Sequence, residues 1–88
     1  MSHSIKARVE IFQEDNLYVG ICRDLDISSF GETVEEARKY LQEALSIFIE
    51  ECEAMGTLEE VLEESGFVYQ NGSWISRKPI SSELVAIG

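Results

Sequence analysis

The chain has 88 residues, with 17 acidic against 7 basic side chains and a formal net charge of −10. One domain is the default at this length, and a domain this small is often helped by self-association. The charge repels nucleic acid and anionic lipid and attracts basic partners. No apolar run reaches the roughly 20 residues of a membrane helix, and Met1 to Lys6 is not followed by the apolar core of a signal peptide, so the expected location is the cytoplasm.

Ile5 to Phe12 alternates, with Ile5, Ala7, Val9 and Ile11 on one side, which predicts a half-buried strand. Gln13 to Asn16 is a polar turn, and Leu17 to Cys22 is a second strand, completing a hairpin. Leu17, Val19 and Ile21 share one face of that strand, and Tyr18, Gly20 and Cys22 share the other. Gly20 has no side chain and marks either a bulge or a close approach by another backbone. Arg23 to Asp26 is a second turn, and Ile27 to Phe30 is a short third strand.

The longest periodic stretch runs from Gly31 to Gly56. Val34, Ala37, Leu41, Ala44, Leu45, Phe48, Cys52 and Met55 form one stripe on an α-helix that would cross the sheet and cover Ile5, Val9 and Ile11. Thr33 and Glu36 have capping-box spacing, and Gly56 supplies the left-handed stop. Thr57, Glu60 and Gly66 repeat that grammar around a helix of about two turns. Asn71-Gly72, set between Phe67–Gln70 and Ser73–Ser76, predicts a hairpin with a type I′ turn and with Tyr69 and Trp74 across it.

The fold class that follows is α+β with two layers: an antiparallel three-stranded meander crossed by one long helix, then a short helix and a β-hairpin, in the order β-β-β-α-α-β-β. Residues 1–88 form a single domain with a core over about residues 5–76. Pro79 breaks pairing, and residues 77–88 are left as a tail, either docked or forming an edge strand over Glu83–Ile87.

Catalytic chemistry finds little purchase here. His3 is the one histidine, in the N-terminal segment without an orienting partner, which argues against Ser-His or Cys-His hydrolysis. There is no Gly-rich phosphate loop. Asp24 and Asp26 are more simply a solvated turn than a cation site, and Cys22 and Cys52 read as small buried hydrophobes. No catalytic, metal or cofactor-binding residue is assigned, and no cofactor is expected. The acidic helix positions Glu35, Glu36, Glu43, Glu50, Glu51 and Glu53 form either a solvated face or a docking surface for a basic partner. Phe12 and Tyr18 are expected on the sheet face away from the helix, which a two-layer domain leaves bare. That face, or an unpaired sheet edge, would join two copies. The candidate partner or oligomer surface is Glu10, Phe12, Tyr18, Asp24, Asp26, Glu43 and Glu50.

Two runs carry a resemblance. They are Asp15-Asn16-Leu17-Tyr18-Val19-Gly20-Ile21-Cys22-Arg23-Asp24-Leu25 and Gly31-Glu32-Thr33-Val34-Glu35-Glu36-Ala37. In this order and at nearly this spacing they resemble the HicB-like antitoxin family, whose pattern is Asp-Gly-x-Tyr-Val-Ala-x-Cys-Pro-Glu-Leu followed by Gly-x-Thr-x-Glu-Glu-Ala. The resemblance covers roughly residues 5–66. Arg23 stands where that pattern has proline, and the family's Pro-Gly-Cys turn is missing. The resemblance implies a partial ribonuclease-H-like fold and a role in binding and neutralising a small basic toxin, HicA-like, that cleaves mRNA. Many members add a DNA-binding segment; residues 77–88 are too few for one and hold only Arg77 and Lys78 as basic residues, so no direct nucleic-acid contact is expected. Ribonuclease-H chemistry needs carboxylates on several elements to hold two metal ions. The first strand offers only Glu10, and Phe67–Gln70 offers none, so the fold would be a binding scaffold rather than an enzyme.

Two readings follow: a non-catalytic toxin-binding module, or a freestanding oligomeric domain acting as a ligand sensor or structural accessory. A basic partner released by salt distinguishes the first from the second. Phe48, in the middle of the helical stripe, is expected to be a leading core contact. Phe48→Asp should therefore be among the most damaging single changes, and a normal melting temperature in the variant would contradict the assignment.

Overall fold

The alternating stretch at the start of the chain, expected as one strand, is divided into two. In the computed structural model, which describes residues 4–88, β1 (Ser4–Lys6) and β2 (Glu10–Glu14) serve different neighbours. β2, β3 (Leu17–Cys22) and β4 (Ile27–Gly31) form an antiparallel meander. β1 instead pairs in parallel with β6 (Ser73–Ile75), which pairs antiparallel with β5 (Val68–Gln70). Period-two alternation assigns side chains to faces but leaves open which strand each edge bonds to. The hand-over occurs at Ala7 to Val9, where Ser76 satisfies the backbone that leaves the β1–β6 ladder. Its N–H donates to the Lys6 carbonyl and its buried hydroxyl accepts from the Arg8 N–H, both at 2.9 Å.

The remaining elements follow the sequence reading closely. The β2–β3 turn is tighter than expected, reduced to Asp15 and Asn16 with Asp15 at φ 53°. Asn71 and Gly72 both take positive φ, as a type I′ turn requires, and the Tyr69 and Trp74 rings meet across the hairpin at 5.2 Å. Counting the split strand once, the observed order is the expected β-β-β-α-α-β-β.

Helix α1 (Val34–Met55) is capped by Thr33, whose hydroxyl accepts from the Glu36 N–H at 3.0 Å. The Glu36 carboxylate reaches back one residue further than a capping box does, to the Glu32 N–H at 2.9 Å. Gly56 closes the helix at φ 72°. The expected second capping box does not form. Thr57 turns its hydroxyl towards the Cys52 carbonyl instead, and α2 (Leu58–Glu64) starts without a side-chain cap. The end of α1 and the start of α2 are too close together for Thr57 to serve only the second helix.

Two apolar clusters follow from where the helices lie. The N-terminal half of α1 packs on β3 and β4, burying Cys22, Ala37 and Leu41 completely. Its C-terminal half and α2 bury Cys52, Leu58 and Leu62 with Phe67, just ahead of β5, and Trp74 of β6. Phe48 lies at the edge of this second cluster and is only half-buried, so Leu41 and Leu62 hold the positions expected of it. Met55, also assigned to the stripe, is 69% exposed at the helix end. The last segment forms neither an edge strand over Glu83–Ile87 nor a docked tail: residues 77–88 are exposed throughout.

The helix–sheet seam tolerates no extra atom at Gly31. A Cβ there would lie 2.6 Å from Glu36 Cβ and 2.7 Å from the Ala37 backbone nitrogen. Gly31→Ala should cost about 1–3 kcal/mol in urea unfolding, through a shifted helix start rather than a cavity, and an unchanged midpoint would show the seam to be looser than this.

Candidate protein-interaction surface

The β2-β3-β4 meander has one face under α1 and one face open. Directly paired residues of antiparallel strands share a face. Phe12, Val19 and Phe30 therefore form one cross-strand row, with Ile21 beside it and Leu17 at the hairpin end. These side chains point away from the helix, and Phe30, Phe12 and Leu17 are 63%, 46% and 40% exposed. Scattered exposed apolar residues are ordinary, but a contiguous apolar row across three strands is the kind of patch that marks an interaction site.

The rim of this face is charged. Glu10 lies next to Phe12 on the same face and accepts from Arg23 Nε at 2.8 Å, and the Arg23 guanidinium sits 5.8 Å from the centre of the Phe12 ring. The ion pair is solvent-exposed and contributes little to stability. Its effect is to hold Arg23 over one side of the ring, so that side is already covered. Acidic groups mark both ends of the meander, with Glu14 and Asp15 at the β2–β3 turn and Asp24 and Asp26 at the β3–β4 turn. Asp26 takes φ 55° and donates its N–H to the Arg23 carbonyl at 3.2 Å, which fixes that turn.

The seven residues singled out from the sequence fall into separate places. Glu10 and Phe12 are on the open face, and Asp24 and Asp26 are at one end of it. Tyr18 is not. It pairs with Gln13 and Gly31 on the helix side and lines a hollow with Val9, Ile11, Val34 and Arg38. The register places Tyr18 opposite Gln13, one position away from Phe12, and a one-residue offset reverses the face. Glu43 and Glu50 lie on α1, along a groove of about 1160 Å³ floored by Ile5, Ala7, Val9, Leu45 and Ile49. The sequence reading missed Val19 and Phe30 as partners of Phe12. Alternation along Ile27-Ser28-Ser29-Phe30 held the signal, but assigning Phe30 to the open face requires the register.

Among the described residues no three His, Cys, Asp or Glu side chains converge as metal ligands, and His3 lies outside those residues. No helix among them is long and apolar enough to cross a membrane. Cys22 is enclosed beneath α1, and its burial pushes the thiol pKa up, against the lowering effect of the Leu25 backbone N–H. A thiol held in this way is a packing group rather than a nucleophile at neutral pH.

These elements define an α+β domain with an exposed apolar sheet face rimmed by acidic groups. No family model, curated protein or solved structure matches the chain.

The Cys22 thiol carries a pH signature. Its folded pKa is raised, so the stabilisation is complete below the unfolded thiol's ordinary value, 9.0, and is lost as pH rises from there through the folded pKa. Unfolding free energy should therefore fall with pH in that alkaline window, and Cys22→Ala should flatten part of the slope in urea titrations at stepped pH. An equal slope in the two proteins would mean that Cys22 ionises as easily folded as unfolded.

Proposed function

We propose that this chain is a non-catalytic protein-interaction module of the HicB kind, which binds and neutralises a small basic, mRNA-cleaving toxin in the cytoplasm. The observation that carries the reading is the open sheet face. Phe12, Val19 and Phe30 form an apolar row with Glu14 and Asp15 at one end and Asp24 and Asp26 at the other. A basic protein with an apolar centre to its own face is complementary to that arrangement. The net charge of −10 would raise its encounter rate and make association salt-sensitive. Toxin surfaces that grip RNA are basic for the same reason, so covering one with this face would also occlude the substrate.

The alternative, a freestanding oligomer serving as a sensor or structural accessory, is favoured by one further observation. Apolar side chains of the last segment, Ile80, Leu84 and Ile87, stand fully in solvent.

A tagged chain should capture from native extract, at low salt, one small basic protein that a salt step releases. The released protein should cleave RNA and lose that activity when the chain is added back. Phe30→Asp should abolish capture while leaving the melting curve intact, since Phe30 packs on nothing in the core. Recovery of the bait alone, as a defined oligomer, would overturn the antitoxin reading in favour of the alternative.

A further inference from the structure

The segment beyond the last strand is built like a ligand. Its anchored part ends at Arg77, whose carbonyl accepts from the Arg8 guanidinium and whose own guanidinium packs beside Gly66. Lys78-Pro79 then leaves the body, and the proline ring disfavours a helical turn at Lys78, so the departure is extended. Beyond it, Ile80, Leu84, Val85 and Ile87 are 107%, 103%, 70% and 96% exposed. The Cα radius of gyration is 14.7 Å, against about 12 Å for a compact chain of this length. The segment therefore reaches away from its own domain.

The same molecule carries a seat of matching chemistry. Helix α1 lies over β3 and β4, so β1 and β2 are left partly uncovered. Between them and the helix runs the groove floored by Ile5, Ala7, Val9, Leu45 and Ile49, and the smaller hollow at Ile11, Tyr18 and Val34 adjoins it through Val9 and Arg38. From Arg38 to Glu50 the groove wall is about 18 Å long at 1.5 Å per helical residue. In extended form Lys78 and Leu84 lie about 20 Å apart at 3.3 Å per residue. Lys78, Ile80 and Leu84 share one face of such a segment; with Lys78 opposite Glu50, Ile80 would fall over Leu45 and Ile49 and Leu84 over the hollow beside Arg38.

We propose that residues 78–87 of one copy occupy the α1–β1/β2 groove of a second copy, and that reciprocal exchange makes the protein a homodimer. This surface is separate from the open sheet face, so dimerisation leaves that face available to a basic partner.

Light scattering on the full chain should report a dimer. Ile80→Asp with Leu84→Asp should raise its dissociation constant roughly ten-thousandfold while leaving the monomer folded, with an unchanged circular dichroism spectrum, because each side chain is lost from an apolar seat twice per dimer but contributes nothing to the core. Phe30→Asp should leave the dimer intact, which separates this test from that of the toxin-binding reading. Two single variants, Gln42→Cys and Ser82→Cys, should be joined by a short bis-maleimide when mixed. A monomeric parent would overturn the proposal. So would a dimer that survives the tail substitutions, or a bridge that forms only within one chain carrying both cysteines, which would place the segment in its own groove.

Discussion

The structure depends on how closely α1 lies on the meander. At Gly20 an added Cβ would be 3.2 Å from the Ala37 carbonyl oxygen and from Leu41 Cδ2, and at Gly31 it would overlap the start of the helix. Two positions without side chains thus bring helix backbone almost onto sheet backbone. This closeness is what lets residues as small as Ala37 and Cys22 complete a fully buried contact. Larger side chains in the seam would lift the helix and expose those groups together.

The same seam determines the surfaces. Because the glycines are on β3 and at the end of β4, α1 lies over that side of the meander and leaves the β1–β2 side as a groove. Because one face of the meander is given over to the helix, Phe12, Val19 and Phe30 are presented on the other. The C-terminal half of α1 then extends past the meander and needs a second sheet to cover it. The division of the first strand supplies that sheet, with Ser76 satisfying the backbone where the ladders change over. One packing constraint thus produces a core in two parts and two exposed apolar surfaces that do not overlap.

Acidity is distributed over this frame rather than concentrated. Glu10 is engaged by Arg23, Asp24 and Asp26 sit in a fixed turn, and Glu43 and Glu50 line a groove on the other side of the sheet. The net charge is therefore a broad field, of the kind that raises the encounter rate with basic molecules, rather than a local charged site.

Much of the architecture was legible in the residues because it is local. Thr33 and Gly56 bound a helix by backbone chemistry confined to its ends, and Asn71-Gly72 specifies its own turn. Alternation along Leu17 to Cys22 put Gly20 and Cys22 together on one face. Pairing and register are not local, and there the reading failed. Alternation from Ile5 to Phe12 could not reveal that β1 bonds β6 while β2 bonds β3, nor could it place Tyr18 opposite Gln13 beneath the helix. Thr57 looked like a cap, but only the proximity of Cys52 decided where its hydroxyl went. The candidate surface shows the same division. Phe12 was identifiable as an aromatic residue off the core stripe, but its row with Val19 and Phe30 exists only once three strands are in register. The sequence alone determined which segments are helix, strand and turn, because those choices rest on near-neighbour spacing. Which faces became core, groove and open surface was decided by tertiary packing, because that depends on atoms brought together from opposite ends of the chain.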